Sequence, residues 1–171
     1  MSRSILCGVD GSEDARLALR AAAQLSAQLD ARLVVAHVVQ TAIVGPRIAP
    51  GAVTLPLGGE REAGELLLDG VLEAEGLEDV ERRVVFGFPA ERLADLADEE
   101  DAELIVVGSR GRGAFRAAFL GSVSTDLIGV ARCPVLVVPP GAASGRAGVP
   151  VSAGVPAFSG RPARGDGSRL R

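Results

Sequence analysis

Four short stretches of this chain are apolar at almost every position: residues 5–9, 33–36, 104–107 and 135–138. A strand with one wet face alternates apolar and polar residues. Continuous apolar runs of this length fit strands covered on both faces, which is the situation in a parallel sheet. A fifth run, 80–86, carries Glu81, Arg82 and Arg83 among its valines and fits a partly exposed edge strand. Segments of helical period separate the runs: 12–29, 60–75, 89–100 and 122–131. The series β-α-β-α-β-α-β-α-β predicts an α/β fold, a doubly wound five-stranded parallel sheet with helices on both faces. The order 3-2-1-4-5 puts the charged run on an edge and sets strands 1 and 4 side by side where the winding reverses. Ligands of such sheets bind in the crevice beyond the carboxyl ends of those strands.

Local signals mark the boundaries. Ser12 is a good N-cap, and Glu13 and Asp14 stand in the first turn, where the helix dipole favours acids. Ala18, Ala22, Leu25 and Leu29 give the first helix an apolar face, and Ala63, Leu67, Val71 and Ala74 do so for the second. Pro89 suits the first turn of the third. Pro139 and Pro140 stop the last strand. One domain, 1–140, is expected. Within it, residues 40–59 form a long Gly/Pro-rich loop, read either as a mobile linker or as cover for a ligand or partner. Residues 141–171 are Gly, Pro, Ser, Ala and Arg without period and read as a flexible tail.

Two chain bends follow the fourth strand. Gly108, Gly111 and Gly121-Ser122 fall at the spacing Gly-x2-Gly-x9-Gly-Ser. Glycine lets a ligand approach main-chain N–H groups closely. A helix opening at Ser122 adds free amides and the positive end of a dipole. The amides of 111 and of 121–124, the hydroxyls of Ser122 and Ser124, and the guanidinium groups of Arg110 and Arg112 together make a phosphate cradle. The topology brings Asp10-Gly11-Ser12, after strand 1, to the same crevice. Each residue also has a plainer reading. The glycines make a tight turn, Ser122 and Asp10 cap helices, the arginines are solvated, and His37 is a strand-end histidine.

Composition narrows the chemistry. The net charge is −4, and the arginines of the last 31 residues make the body before them more acidic still, which speaks against nucleic acid as the main partner. The chain has no lysine, so a Walker-type phosphate-binding lysine is excluded. Cys7 and Cys133 fit no metal spacing and read as buried free thiols. No apolar run reaches the ~18 residues of a membrane span. No signal-peptide pattern opens the chain, and a cytoplasmic protein is expected. No Ser-His-Asp ordering or metal-ligand cluster offers efficient catalysis.

The opening Ile-Leu-Cys-Gly-Val-Asp-Gly-Ser, the glycine element at 108–122 and the closing Cys-Pro-Val-Leu-Val-Val-Pro resemble the universal stress proteins of the nucleotide-binding subgroup over residues 3–139. The resemblance implies a Rossmann-like fold of the adenine nucleotide alpha hydrolase-like kind. It implies ATP binding, with adenine near Asp10 and Val38. Phosphates would lie along Gly108, Arg110, Gly111, Gly121, Ser122, Val123 and Ser124. Mg²⁺ or Mn²⁺ would accompany the triphosphate, with Asp10 as a weak or indirect ligand. It further implies a regulatory role in stress response and a homodimer through strand 135–138, whose all-aliphatic edge independently invites pairing. The alternatives are an interaction protein of the same fold with an empty or cyclic AMP-binding site, and a slow ATPase.

Overall fold

A computed structural model describes residues 3–40, 59–77, 79–111 and 120–141. Most of the 40–59 loop, Arg112 and the tail from 142 onward lie outside the described residues. The elements run β1 (Ser4–Gly8), α1 (Glu13–Leu29), β2 (Arg32–Val39), α2 (Glu60–Glu75), β3 (Glu81–Phe86), α3 (Pro89–Glu99), β4 (Ala102–Gly108), α4 (Ser122–Val130) and β5 (Val135–Val138). The five strands form one parallel sheet in the order β3-β2-β1-β4-β5, as the sequence predicts. The charged strand β3 is an edge, paired only with β2.

Each central strand feeds two cores, because successive side chains point to opposite faces. Ile5, Cys7, Leu33, Val35 and Val106 pack with Leu19 of α1 and Leu68 and Leu72 of α2. Leu6, Val34, Ala36, Ile105 and Val107 pack with Leu93 and Leu96 of α3 and Leu127 of α4. Burying one such aliphatic side chain stabilises the fold by about 1.5–3 kcal/mol, which explains why the runs contain so few polar residues.

The helices sit as expected, and the inward face departs from expectation mainly in α2. In α1 the expected Ala18 and Ala22 are buried beside Ala15, Leu17 and Leu19, and Leu25 packs against the core, while Leu29, in the last turn, is exposed. In α2 the buried residues are Gly64, Leu68, Val71 and Leu72, and the alanines predicted to face inward, Ala63 and Ala74, are exposed. Gly64 is the reason. A Cβ there would come within 2.9 Å of Val84 and 3.2 Å of Val39, so the missing side chain lets the helix lie close on β2 and β3. Cys7 is fully buried, but Cys133 is only half-buried.

Charges at the amino end of the sheet are paired among themselves. Glu81 at the start of β3 takes hydrogen bonds from Arg32 and Arg83. Glu100, just after α3, lies 3.0 Å from both arginines. Ser4 donates to the Glu100 carbonyl at 2.7 Å, fastening the start of β1 to the end of α3.

Candidate functional site

At the carboxyl end the chain opens into a cavity of about 720 Å³. Asp10, beyond β1, and Val38, near the end of β2, line one side. Gly108, Ser109, Arg110 and Gly111 line the middle, and Gly121 to Ser124 the other side. Every described residue named from the sequence as a site residue therefore borders one crevice, between β1 and β4. Arg112 lies outside the described residues.

Ser109 draws the two bends together. Its amide donates to Val138 O at 2.9 Å, which ties it to β5. Its carbonyl accepts from Gly121 N at 2.6 Å and from Ser124 Oγ at 3.2 Å. Its own hydroxyl donates to Asp14 Oδ2 at 3.0 Å. Sequence reasoning passed over this residue, because it falls on one of the two unspecified positions between Gly108 and Gly111 and carries no periodicity of its own. Asp14 was read only as a dipole-favoured acid in the first turn of α1. In the structure it is buried and reaches across to the glycine turn, binding Ser109 and also Arg110 Nε at 3.1 Å.

These bonds revise which cradle groups are open to a ligand. The Gly121 amide is taken by Ser109. The Ser124 hydroxyl is buried and turned to the carbonyls of Ser109 and Gly121. Ser122 does not cap α4. Gly121 is the N-cap, without a side-chain cap bond, and Ser122 is the first helical residue. What α4 offers the cavity is its amides at 122, 123 and 124, which by helix geometry have no intrahelical acceptor, together with the positive end of the dipole. Arg110 lines the cavity with its Nε already engaged.

The glycines differ in role. A Cβ on Gly108 would sit 2.6 Å from the Asp14 carbonyl carbon and 2.8 Å from Ala15 N, so this glycine lets the end of β4 meet the start of α1. A Cβ on Gly111 would meet Asp10 Oδ2 at 2.6 Å, and one on Gly121 the Ser109 carbonyl at 3.3 Å. Asp10 Oδ1 accepts from Ser12 N at 3.0 Å, and Ser12 Oγ accepts from Ala15 N at 3.2 Å, so the turn after β1 is fixed and Ser12 is the cap of α1. His37 also borders the cavity, with Nδ1 2.8 Å from the Val9 carbonyl, a strand-end contact. Burial pushes the Cys7 thiol up to about 12. Among the described residues no group of three or more His, Cys, Asp or Glu could hold a metal ion, and no helix is long and apolar enough to cross a membrane.

The fold and this crevice define the chain as a doubly wound α/β protein with a helix start opening on a crevice at its switch point. The sequence model of the universal stress protein family matches residues 1–139, and the chain belongs to that family. It is 32% identical over 147 residues to universal stress protein YxiE of Bacillus subtilis, covering 81% of this chain and 99% of that one. Among solved structures, a universal stress protein in complex with cAMP superposes with TM-score 0.59 at 26% identity, covering 81% of this chain and 97% of the other. The universal stress protein from Archaeoglobus fulgidus in complex with dAMP superposes with TM-score 0.56 at 23% identity, covering 81% and 98%, a likeness of fold.

Proposed function

We propose that this chain binds an adenine nucleotide, with ATP the leading ligand, and acts in the cytoplasm as a regulatory protein of the stress response whose occupancy sets conformation or partner choice. The observation that carries the reading is the convergence of the α4 amides, the Gly108–Gly111 turn and Arg110 on one cavity with Asp10 and Val38 at its far side. Phosphates would lie on the amides of 122–124 beside Gly111 and Arg110, where dipole and guanidinium act together. Adenine would lie toward Val38 and Asp10. Mg²⁺ fits only as a companion of the phosphates. It takes one or two carboxylates plus phosphate and water oxygens, and Asp10 is the carboxylate at hand.

The test is to denature the purified protein and identify released nucleotide by mass spectrometry, then repeat with Gly111→Val and Gly121→Val. Adenine nucleotide released from the wild type and lost from both variants supports the cradle, and full retention in both removes it. Turnover at about 10 per second, an ordinary enzyme rate, would replace the regulatory reading with a catalytic one. A cyclic AMP-binding protein is the second reading, favoured by the cAMP complex of the 26%-identical relative. Released cyclic AMP would select it.

The chain would pair as a homodimer through β5. This strand is an edge of the sheet, and Leu136 on it is 37% exposed. An aliphatic edge with unpaired main-chain groups is a template for a second copy. Light scattering at micromolar concentration should give twice the monomer mass.

A further inference from the structure

We propose that Asp14 is a positioning residue for the phosphate end of the ligand, holding Arg110 by one edge of its guanidinium so that the other edge faces the crevice. The inference rests on the nucleotide-binding reading above and adds to it a residue that carries none of the cradle motif.

Asp14 is 8% exposed, on the first turn of α1, and its Oδ2 takes both the Ser109 hydroxyl and Arg110 Nε. A buried carboxylate is costly unless it is paired and hydrogen-bonded. Both conditions are met by residues of the glycine turn, so the acid and the turn fix each other. The close approach that allows this is made by Gly108, whose absent side chain leaves room for the Asp14 main chain.

The guanidinium is a planar fork with five N–H donors. Asp14 engages it through Nε, on the side edge. The end-on pair of Nη atoms is the edge suited to a bidentate phosphate contact. Arg110 lines the cavity and its side chain is 27% exposed, so the fork is held against the wall while still reachable from the crevice. A long side chain that is already held loses less freedom when it takes a ligand. The consequence is selectivity for chain length. The α4 amides can seat any phosphate, whereas a fixed fork beside them rewards a second or third one.

Calorimetric titration of the full chain with ATP, AMP and adenosine tests this. Asp14→Asn, which keeps the shape and loses the charge, and Arg110→Gln should each weaken ATP binding about tenfold and adenosine binding less than about twofold, the scale of one charge-assisted hydrogen bond. The double variant should bind ATP no worse than Arg110→Gln alone, because both changes remove one coupled unit. Equal losses for ATP and adenosine in Asp14→Asn would reduce Asp14 to a support of the fold and overturn the proposal. So would unchanged ATP binding, or additive losses in the double variant. Should Asp14→Asn not fold, the Arg110 Nε–H signal of the wild type decides by NMR. A slowly exchanging signal that persists when ATP is added supports the tether, and its loss to solvent exchange on adding ATP overturns it. A wild type that binds no adenine compound would sink the nucleotide reading itself, and this inference with it, a result distinct from all the others.

Discussion

At the amino end of the sheet Arg32, Arg83, Glu81 and Glu100 satisfy one another across the starts of β2 and β3 and the end of α3. At the carboxyl end an equally polar set is assembled, but one part of it is closed and another left open. Asp14, Ser109, Gly121 and Ser124 are bonded inward, and residues 122–124, at the start of α4, line a cavity. The same protein thus uses side-chain charge for closure at one end and, in the proposed reading, main-chain geometry for a seat at the other. The lesson is that charge density alone does not locate a site. The charge-rich amino end is self-neutralised, and the crevice is marked by which donors are held and still unspent.

The sharpest way to break this contrast is Gly108→Val. The new side chain would meet the main chain of Asp14 and Ala15, which cannot yield as a flexible side chain would. The expected loss is about 3 kcal/mol, the upper range for overpacking, read from the urea midpoint. Ser109→Ala should be milder. It removes the hydroxyl bond to Asp14 and leaves the main-chain bonds of residue 109 in place, so about 1–2 kcal/mol is expected in the same measurement. A loss as large as that of Gly108→Val would show that the hydroxyl, and not the main chain, holds the two bends.

The amino end should respond less, and mainly to pH. Glu81 is held below the usual carboxylate range, first by the hydrogen bond from Arg32 and then, against partial burial, by that from Arg83. Its folded form therefore favours the ionised state. The stability it contributes is fully present above the ordinary carboxylate pKa and is lost as pH falls through the depressed value. Glu81→Gln should flatten that acid limb of the stability curve and cost at most about 1 kcal/mol at neutral pH, as for other partly exposed pairs. Nucleotide binding should not change. The smallest effect concerns the thiols. Cys7, pushed up to about 12 and fully buried, should resist a thiol reagent at pH 8 until the chain is unfolded, and Cys133, raised by partial burial, should react slowly. Fast labelling of Cys7 in the folded protein would show that the sheet opens at its centre.

Much of the fold was legible because the runs at 33–36 and 104–107 are apolar throughout, as strands covered on both faces are, although the equally apolar run 135–138 lies on an edge. The charged run of β3 settled which edge it occupies. The inward face of α2 was misread in part, at Ala63 and Ala74 but not at Leu67 and Val71, for a physical reason. Hydrophobic period rewards Ala63 and Ala74, whereas the true face is set by a glycine, Gly64, whose contribution is the absence of a side chain. The crevice was legible through Gly108, Gly111 and Gly121. Its internal wiring was not. The Ser109 and Asp14 contact joins residues 95 apart in sequence, and no local pattern announces a bond of that kind. For the same reason the Gly121 amide and the Ser124 hydroxyl looked available until their partners at Ser109 were in view.

Ser109 has a further consequence. Its amide hangs on the last residue of β5 and its carbonyl holds Gly121, so one residue belongs both to the outermost strand and to the threshold of α4. Fraying of that strand and slackening of the helix start then become a single opening event. Anything that binds the closed form must slow hydrogen exchange along both, including amides of β5 that it never touches.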